Sequence, residues 1–429
     1  MQRVAAFLFG FGAYFFLVRY FSVDDFGVWT LYIVVSTAIE MSRSAFIQNA
    51  FIKFFNESDE GNRGTLYASS LFLNFASTTV FVLLVIVLNP LMAKFWNSET
   101  IKVLLLWYCG TTMTLIPFTQ LNYLEQANHS FAGVFWSNVM RQGIFFVIVV
   151  IAFFFVPGLP LVFFAGAQCF GAFAGLVVAW VLTRKFIPQS YRIDWEVVSR
   201  LFKFGKYILG TGITSTVGKN ADQVILGTSH TAVALYNSGV RVLNFIEIPS
   251  LAISQVVYPK IAESASKEGF SGVGRLYEKS VATILAFILP IVVGTLIFPD
   301  LVLLVTAGKN YLSASTTLRI MVLGSLLIPF NIQIGSVCEV INRPHVSFYI
   351  NLFSNIFNVI LNIILIQLYG AIGAAVAFST TVLVIFVFGQ WYVYKNLGVK
   401  FISIIARVPE FYRDTIVKGL AYLKVRQVP

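Results

Sequence analysis

Charge is scarce in this chain: 11% of its 429 residues are charged, and only 19 are Asp or Glu. A soluble domain carries about a quarter charged residues, so a soluble fold with a solvated surface is excluded. Cysteine and histidine are rarer still, at three each. Cys109, Cys169 and Cys338 are too scattered for a disulfide framework or a zinc site. His129, His230 and His345 show no metal-ligand spacing and read as loop or helix-end residues. No Gly-rich phosphate loop followed by Lys-Ser/Thr is present, which argues against ATP hydrolysis. No Ser/His/Asp set or paired-carboxylate arrangement stands out, so neither an enzyme, a metal nor a cofactor is expected.

What fills the chain instead is apolar: 58% of residues are hydrophobic. About 20 apolar residues let one helix cross a bilayer. Such runs recur at 4–20, 27–50, 66–88, 101–121, 131–156, 159–182, 207–227, 232–257, 280–298, 315–337, 346–368 and 371–393. They are apolar on every side, without the period-2 alternation of barrel strands, so their backbone groups must be satisfied within helices. The fold class expected is all-α integral membrane, with about twelve transmembrane helices. The first run has no small-residue cleavage site before Asp24-Asp25 and reads as an uncleaved anchor.

Basic residues set the orientation. Of the 30 Lys and Arg, only Lys94, Lys102, Lys309 and Arg319 fall on one side. Arg19, Arg43, Arg141, Lys219 and Arg241 lie inside or at the edge of spans, and the rest fall on the other side. Both termini are therefore expected in the cytoplasm, and the net charge of +11 calls for no nucleic acid.

The spans divide into two sets of six. Trp29, Glu40, Gln48 and Lys53 match Tyr236, Glu247, Gln255 and Lys260 at a constant offset of 207. Leu115-Ile116-Pro117-Phe118 recurs as Leu327-Ile328-Pro329-Phe330 at 212. An even number of spans per half makes this a parallel repeat, related by a pseudo-two-fold axis along the membrane normal, with a transport site expected between the halves. The expected organisation is an N-terminal six-helix lobe at 1–183, an amphipathic linker at 184–206, a C-terminal lobe at 207–394 and a basic tail at 395–429. In the linker, Asp194 is placed to cap a helix whose Trp195, Val198, Leu201 and Phe202 share a face. The tail suits anionic lipid headgroups or a docking partner.

Charges in a bilayer interior cost several kcal/mol, about 2.5 to 3.5 on insertion scales. They therefore mark internal pairs or a wet cavity. Glu40 and Arg43 share a face of the second span, as do Lys219 and Asp222 in the seventh. The eighth adds Arg241 and Glu247, the fifth Arg141, and the first ends in Arg19. One reading is neutralised pairs that hold helices together, for example Asp222 with Arg241. The other is a cavity whose slight cationic excess favours an anionic cargo. On that reading Arg43 and Arg241 grip phosphate through the guanidinium fork, with Lys219, Arg141 and Arg19 as further cavity cations. Asp222, Glu40 and Glu247 are then the candidates for ion coupling. Gly171 and Gly175 have the spacing of close helix packing, and Pro117, Pro290 and Pro329 are expected to bend or break their helices.

The turn Phe21-Ser22-Val23-Asp24-Asp25-Phe26-Gly27-Val28-Trp29 resembles that between the first two helices of Wzx-type polysaccharide flippases of the MOP superfamily. Lys219-Asn220-Ala221-Asp222-Gln223-Val224-Ile225-Leu226-Gly227, Gly308-Lys309-Asn310-Tyr311 and Gly370-Ala371-Ile372-Gly373-Ala374-Ala375 fit the same pattern. The resemblance implies a V-shaped, two-lobed carrier in the bacterial inner membrane. It implies as cargo an undecaprenyl-pyrophosphate-linked oligosaccharide repeat unit for O-antigen, capsule or exopolysaccharide, moved between leaflets by alternating access with ion coupling. Its implied partners are membrane lipids and the polysaccharide polymerase and chain-length machinery. Relatives' cavity arginines are thought to meet pyrophosphate or acidic sugars; Arg43 and Arg241 lie on matching helices. The two extra helices common in the lipid II branch are missing here, which argues against that branch. The competing expectations are a drug or cation antiporter on the same MATE-like fold and, in a different class, a membrane polysaccharide polymerase. The polymerase would want a large outer loop.

Overall fold

The computed structural model describes residues 2–188 and 192–425. Residues 189–191 of the expected linker and 426–429 of the expected tail, Arg426 included, lie outside the described residues. Among the described residues the fold is helical throughout, without strands. In chain order the helices are α1 (Gln2–Tyr20), α2 (Val23–Glu57), α3 (Glu60–Phe95), α4 (Glu99–Ala127), α5 (Ala132–Phe155), α6 (Leu161–Thr183) and α7 (Trp195–Leu226). There follow α8 (His230–Ile297), α9 (Pro299–Thr306), α10 (Ser315–Ser325), α11 (Ile328–Val340), α12 (Pro344–Leu397) and α13 (Phe401–Val425). Among the described residues seven helical stretches are long and apolar enough to cross a membrane, so the chain is a multi-pass membrane protein. At 68 and 54 residues, α8 and α12 each have the length for two crossings. Each is broken by a glycine in a left-handed conformation, Gly269 at φ 63° and Gly370 at φ 56°. A side chain with a Cβ would resist that backbone.

Two compact units emerge, Met1–Ala234 and Leu235–Pro429. In the first, α2 packs against α3, α4 and α7, and α6 packs against α4 and α5. Phe46, Phe51, Tyr67, Leu124 and Leu201 form one buried cluster among α2, α3, α4 and α7. Lipid tails are as apolar as these side chains, so cohesion here comes from close packing and not from water exclusion. From Trp195 on, the amphipathic helix expected in the linker and the seventh span form one helix, α7. Asp194 does cap it, its Oδ1 accepting from the Glu196 amide at 2.8 Å. Val198 and Leu201 are buried against α2, while Trp195 and Phe202 stay exposed. Tertiary packing on α2 holds the polar first turns in register with the apolar ones that follow.

The first unit is also knotted at one end by His230. Its Nδ1 lies 3.1 Å from Asp24 Oδ2 and its Nε2 lies 2.7 Å from the Trp96 carbonyl. Trp96 in turn donates its indole N–H to the Val224 carbonyl at 3.0 Å. The turns α1–α2, α3–α4 and α7–α8 are thereby joined through side chains of adjacent helix ends.

In the second unit α10 and α11 pack on α12. The matched prolines behave differently. α4 runs on through Pro117, whereas Pro329 opens α11 after a break at Leu326–Leu327. The basic tail is a helix as far as residue 425, and its first turns dock on the second arm of α8. Ser403 and Arg407 both donate to Glu278, at 2.7 and 3.0 Å, while Ile404 and Val408 are buried.

Candidate functional site

The polar residues of the first unit converge. Along α2, Tyr32, Ser36, Glu40, Arg43 and Ser44 recur at three- and four-residue steps, the spacing that lines up one helix face. α4 opposes them with Tyr108, Thr119, Gln120 and Tyr123, α3 with Asn74, α5 with Arg141 and α6 with Gln168. Tyr32 donates to Gln168 at 3.0 Å and Tyr108 to the Ser36 carbonyl at 2.9 Å. Ser44 and Tyr123 hydroxyls meet at 2.8 Å.

At the centre, Arg141 grips Glu40. Nη1 and Nη2 reach the two carboxylate oxygens at 2.8 and 2.9 Å, a fork-to-fork pair joining α5 to α2. The guanidinium also lies 5.6 Å from the centre of the Phe118 ring. Glu40 therefore pairs across helices with Arg141, not with Arg43 three residues on, which shares its face. The two side chains keep about a quarter of their surface open, 24% for Arg141 and 30% for Glu40. Gly171 and Gly175 fix where Arg141 stands. A Cβ at Gly171 would come within 2.6 Å of the Arg141 carbonyl oxygen, and one at Gly175 within 2.9 Å of its Cβ. The small-residue stripe of α6 thus seats directly on α5 at this arginine.

Among the described residues Arg43 is the largest fully buried side chain, 1% exposed. Its Nη1 donates to Asn74 Oδ1 at 2.9 Å and Thr119 Oγ1 at 3.3 Å. Asn74 is held by Gln120 Oε1 at 3.4 Å, and Gln120 by the Ser70 hydroxyl at 3.2 Å. Nε and Nη2 of Arg43 find no hydrogen-bond partner among the described residues. Two guanidiniums and one carboxylate leave this triad of Glu40, Arg43 and Arg141 with one excess positive charge. A buried cation served only by neutral oxygens is costly, and the open donors suit an anion.

The remaining candidates lie elsewhere. Arg19 bonds its own helix, Nη1 to the Phe15 carbonyl at 2.9 Å, with its guanidinium over the Phe15 ring. Lys219 is exposed on α7, and Asp222 accepts from the Gln223 amide at 2.7 Å. In the second unit Arg241 donates to Asn237 at 3.4 Å, and Glu247 is half-buried on the same helix. One buried carboxylate escaped the sequence reading. Glu125, 1% exposed, ends α4 and accepts the Val134 amide at 2.8 Å, so it caps α5. Its place just before a polar break was the signal for that role.

A sequence profile described as polysaccharide biosynthesis protein matches residues 16–316. A relative named a probable low-salt glycan biosynthesis flippase, from Haloferax volcanii, is 26% identical over 241 residues. That match covers 55% of this chain and 51% of the relative. A teichuronic acid biosynthesis protein of Bacillus subtilis is 22% identical over 360 residues, covering 81% of this chain and 72% of the relative. The chain spans about half the length of several curated relatives it matches, at 51%, 46% and 59%. Among solved structures, a lipid II flippase in an inward closed conformation aligns at TM-score 0.78 and 15% identity, over 99% of this chain and 92% of that one. An inward-facing multidrug resistance MATE transporter of the MOP superfamily aligns at 0.76 and 13%, over 91% and 95%. These show a shared fold. With its matched region reaching across most of its helices, this chain belongs to the polysaccharide biosynthesis protein family and folds as MOP-superfamily transporters do.

Proposed function

We propose that this protein is a flippase for a lipid-linked oligosaccharide, moving an undecaprenyl-pyrophosphate-bound repeat unit across the bacterial inner membrane by alternating access. The observation that carries the reading is Arg43, a buried guanidinium with two open donors beside a Glu40–Arg141 pair that keeps about a quarter of its surface open. Such a cluster offers planar, charged donors to phosphate oxygens or acidic sugars. Family membership and a relative named as a glycan flippase support the same cargo.

In this reading the thirteen helices of the described residues make twelve spans in two six-helix lobes. The two arms of α8 and of α12 count separately, α10 and α11 act as one broken span, and α9 and α13 do not cross. Both termini are cytoplasmic. Arg241, Asp222 and Glu247 serve the second lobe's share of substrate contact and ion coupling, with Lys219 and Arg19 as outlying cations. Glu40 couples an ion to transport through its exchange with Arg141. A drug or cation antiporter on the same fold would want a carboxylate left open to the cargo, whereas Glu40 is engaged at both oxygens.

Complementation tests the reading. In a bacterial host lacking its own repeat-unit flippase, this chain restores surface polysaccharide, and Arg43→Ala does not although it reaches the membrane in normal amount. Unrestored polysaccharide with the unaltered, well-inserted chain, across hosts with different glycans, would overturn it.

A further inference from the structure

The two arginines of the site meet partners of different charge. Arg141 faces a carboxylate, whereas Arg43 faces an amide, Asn74 Oδ1 at 2.9 Å, although Asp and Asn are nearly the same size. Ser70, Asn74 and Thr78 recur at four-residue steps and so share a face of α3. Among the described residues every buried polar side chain of α3 is uncharged, as is every one on α4 before Glu125. A carboxylate in place of the Asn74 amide would offset the desolvation of Arg43, which neutral oxygens leave largely uncompensated.

The amide is also held one way round. Its Nδ2 donates to the Ile116 carbonyl, Thr119 Oγ1 and Gln120 Oε1, each at 3.4 Å, which turns Oδ1 toward Arg43. The Thr119 hydroxyl donates to the Leu115 carbonyl at 2.8 Å and therefore meets Arg43 as an acceptor. Nη1 is thus fixed between two neutral oxygens, while Nε and Nη2 find no partner among the described residues. Resting on the flippase reading, we infer that Asn74 is a positioning residue that sets the anion selectivity of the site. It fixes the Arg43 guanidinium without cancelling its charge, and so leaves that charge for the substrate's pyrophosphate.

Two substitutions test it in the purified full-length chain in nanodiscs, with undecaprenyl pyrophosphate as the ligand and undecaprenol as its uncharged reference. Asn74→Asp supplies a carboxylate to Arg43, and Asn74→Ala removes the bond but keeps the charge. Asn74→Asp is expected to weaken undecaprenyl pyrophosphate binding about 10- to 100-fold, as if the charge-assisted donors were gone, and to leave undecaprenol unchanged. Asn74→Ala is expected to weaken it about two- to five-fold, the loss of one neutral hydrogen bond. Thermal unfolding should rank them the other way, with Asn74→Ala the less stable. A purely structural asparagine would make Asn74→Ala the worse binder as well, and that order, or full affinity in Asn74→Asp, would overturn the inference. Should Asn74→Asp fail to insert, Gln120→Glu carries the test, because Asn74 Nδ2 and the Ser70 hydroxyl already donate to that side chain. It too should weaken the pyrophosphate ligand and not undecaprenol; undiminished affinity would overturn the inference. An unaltered chain that does not prefer undecaprenyl pyrophosphate to undecaprenol removes the flippase reading and this inference with it. A preference that survives Asn74→Asp removes the inference alone.

Discussion

Arg141 spends both terminal guanidinium nitrogens on Glu40, and so Arg43, one helical turn beyond Glu40, is left to neutral Asn74 and Thr119. The arrangement separates two jobs. One arginine joins α5 to α2, and the other stays chemically open although it is almost wholly buried.

The α2–α5 pair is testable as a pair. Arg141→Ala strands a half-buried carboxylate, and Glu40→Ala strands a guanidinium. Breaking a fully buried pair costs about 3–5 kcal/mol and an exposed one up to about 1. With a quarter of each side chain open, either single change is expected to cost about 1–3 kcal/mol. Glu40→Gln with Arg141→Gln together recovers much of it. Thermal unfolding in detergent, compared across the cycle, is the check; additive losses would mean the two side chains do not cooperate.

The α6 stripe makes a second prediction. Gly171→Val pushes a branched side chain into the Arg141 carbonyl, backbone that cannot swing aside. We expect a loss of about 1–3 kcal/mol, typical of overpacking, and a fall in export larger than the fall in protein level because Arg141 moves with its helix. The outward-facing Gly110, with nothing within 4 Å of its would-be Cβ, is the control, and Gly110→Ala should be silent.

Glu278 anchors the C-terminal helix through Ser403 and Arg407. Glu278→Ala removes both bonds while leaving Ile404 and Val408 buried. With Arg407 41% exposed, the pair contributes about 0.5–1 kcal/mol. Limited proteolysis within 401–413 should therefore speed up by about two- to five-fold. An unchanged cleavage rate would show that apolar burial alone seats the helix.

Much of this was legible beforehand. Apolar run length marked the chain as helical and membrane-spanning, Asp194 as a cap was read from its side chain, and the Gly171/Gly175 spacing announced a close helix contact. Glu40, Arg43 and Arg141 stood out because a charge in an apolar run needs a reason. Their pairing was not legible. Two residues on one helix face invite each other, but which of them meets α5 depends on helix rotation, set by glycines on a third helix. The fate of the matched prolines was equally hidden. A helix can carry Pro117 when its neighbours tolerate the freed carbonyl, and Pro329 becomes a start only where the preceding turn has already ended. Continuity of α7 was lost on composition, since its polar first half and apolar second half read as separate segments.

Binding of a polyprenyl-pyrophosphate oligosaccharide to the purified chain in nanodiscs bears most directly on Arg43. Replacing Arg43 by Ala removes charge-assisted donors of about 1.5–3 kcal/mol, so affinity should fall about 10- to 100-fold. Equal affinity in the altered and unaltered proteins would contradict the assignment of this buried guanidinium to the substrate.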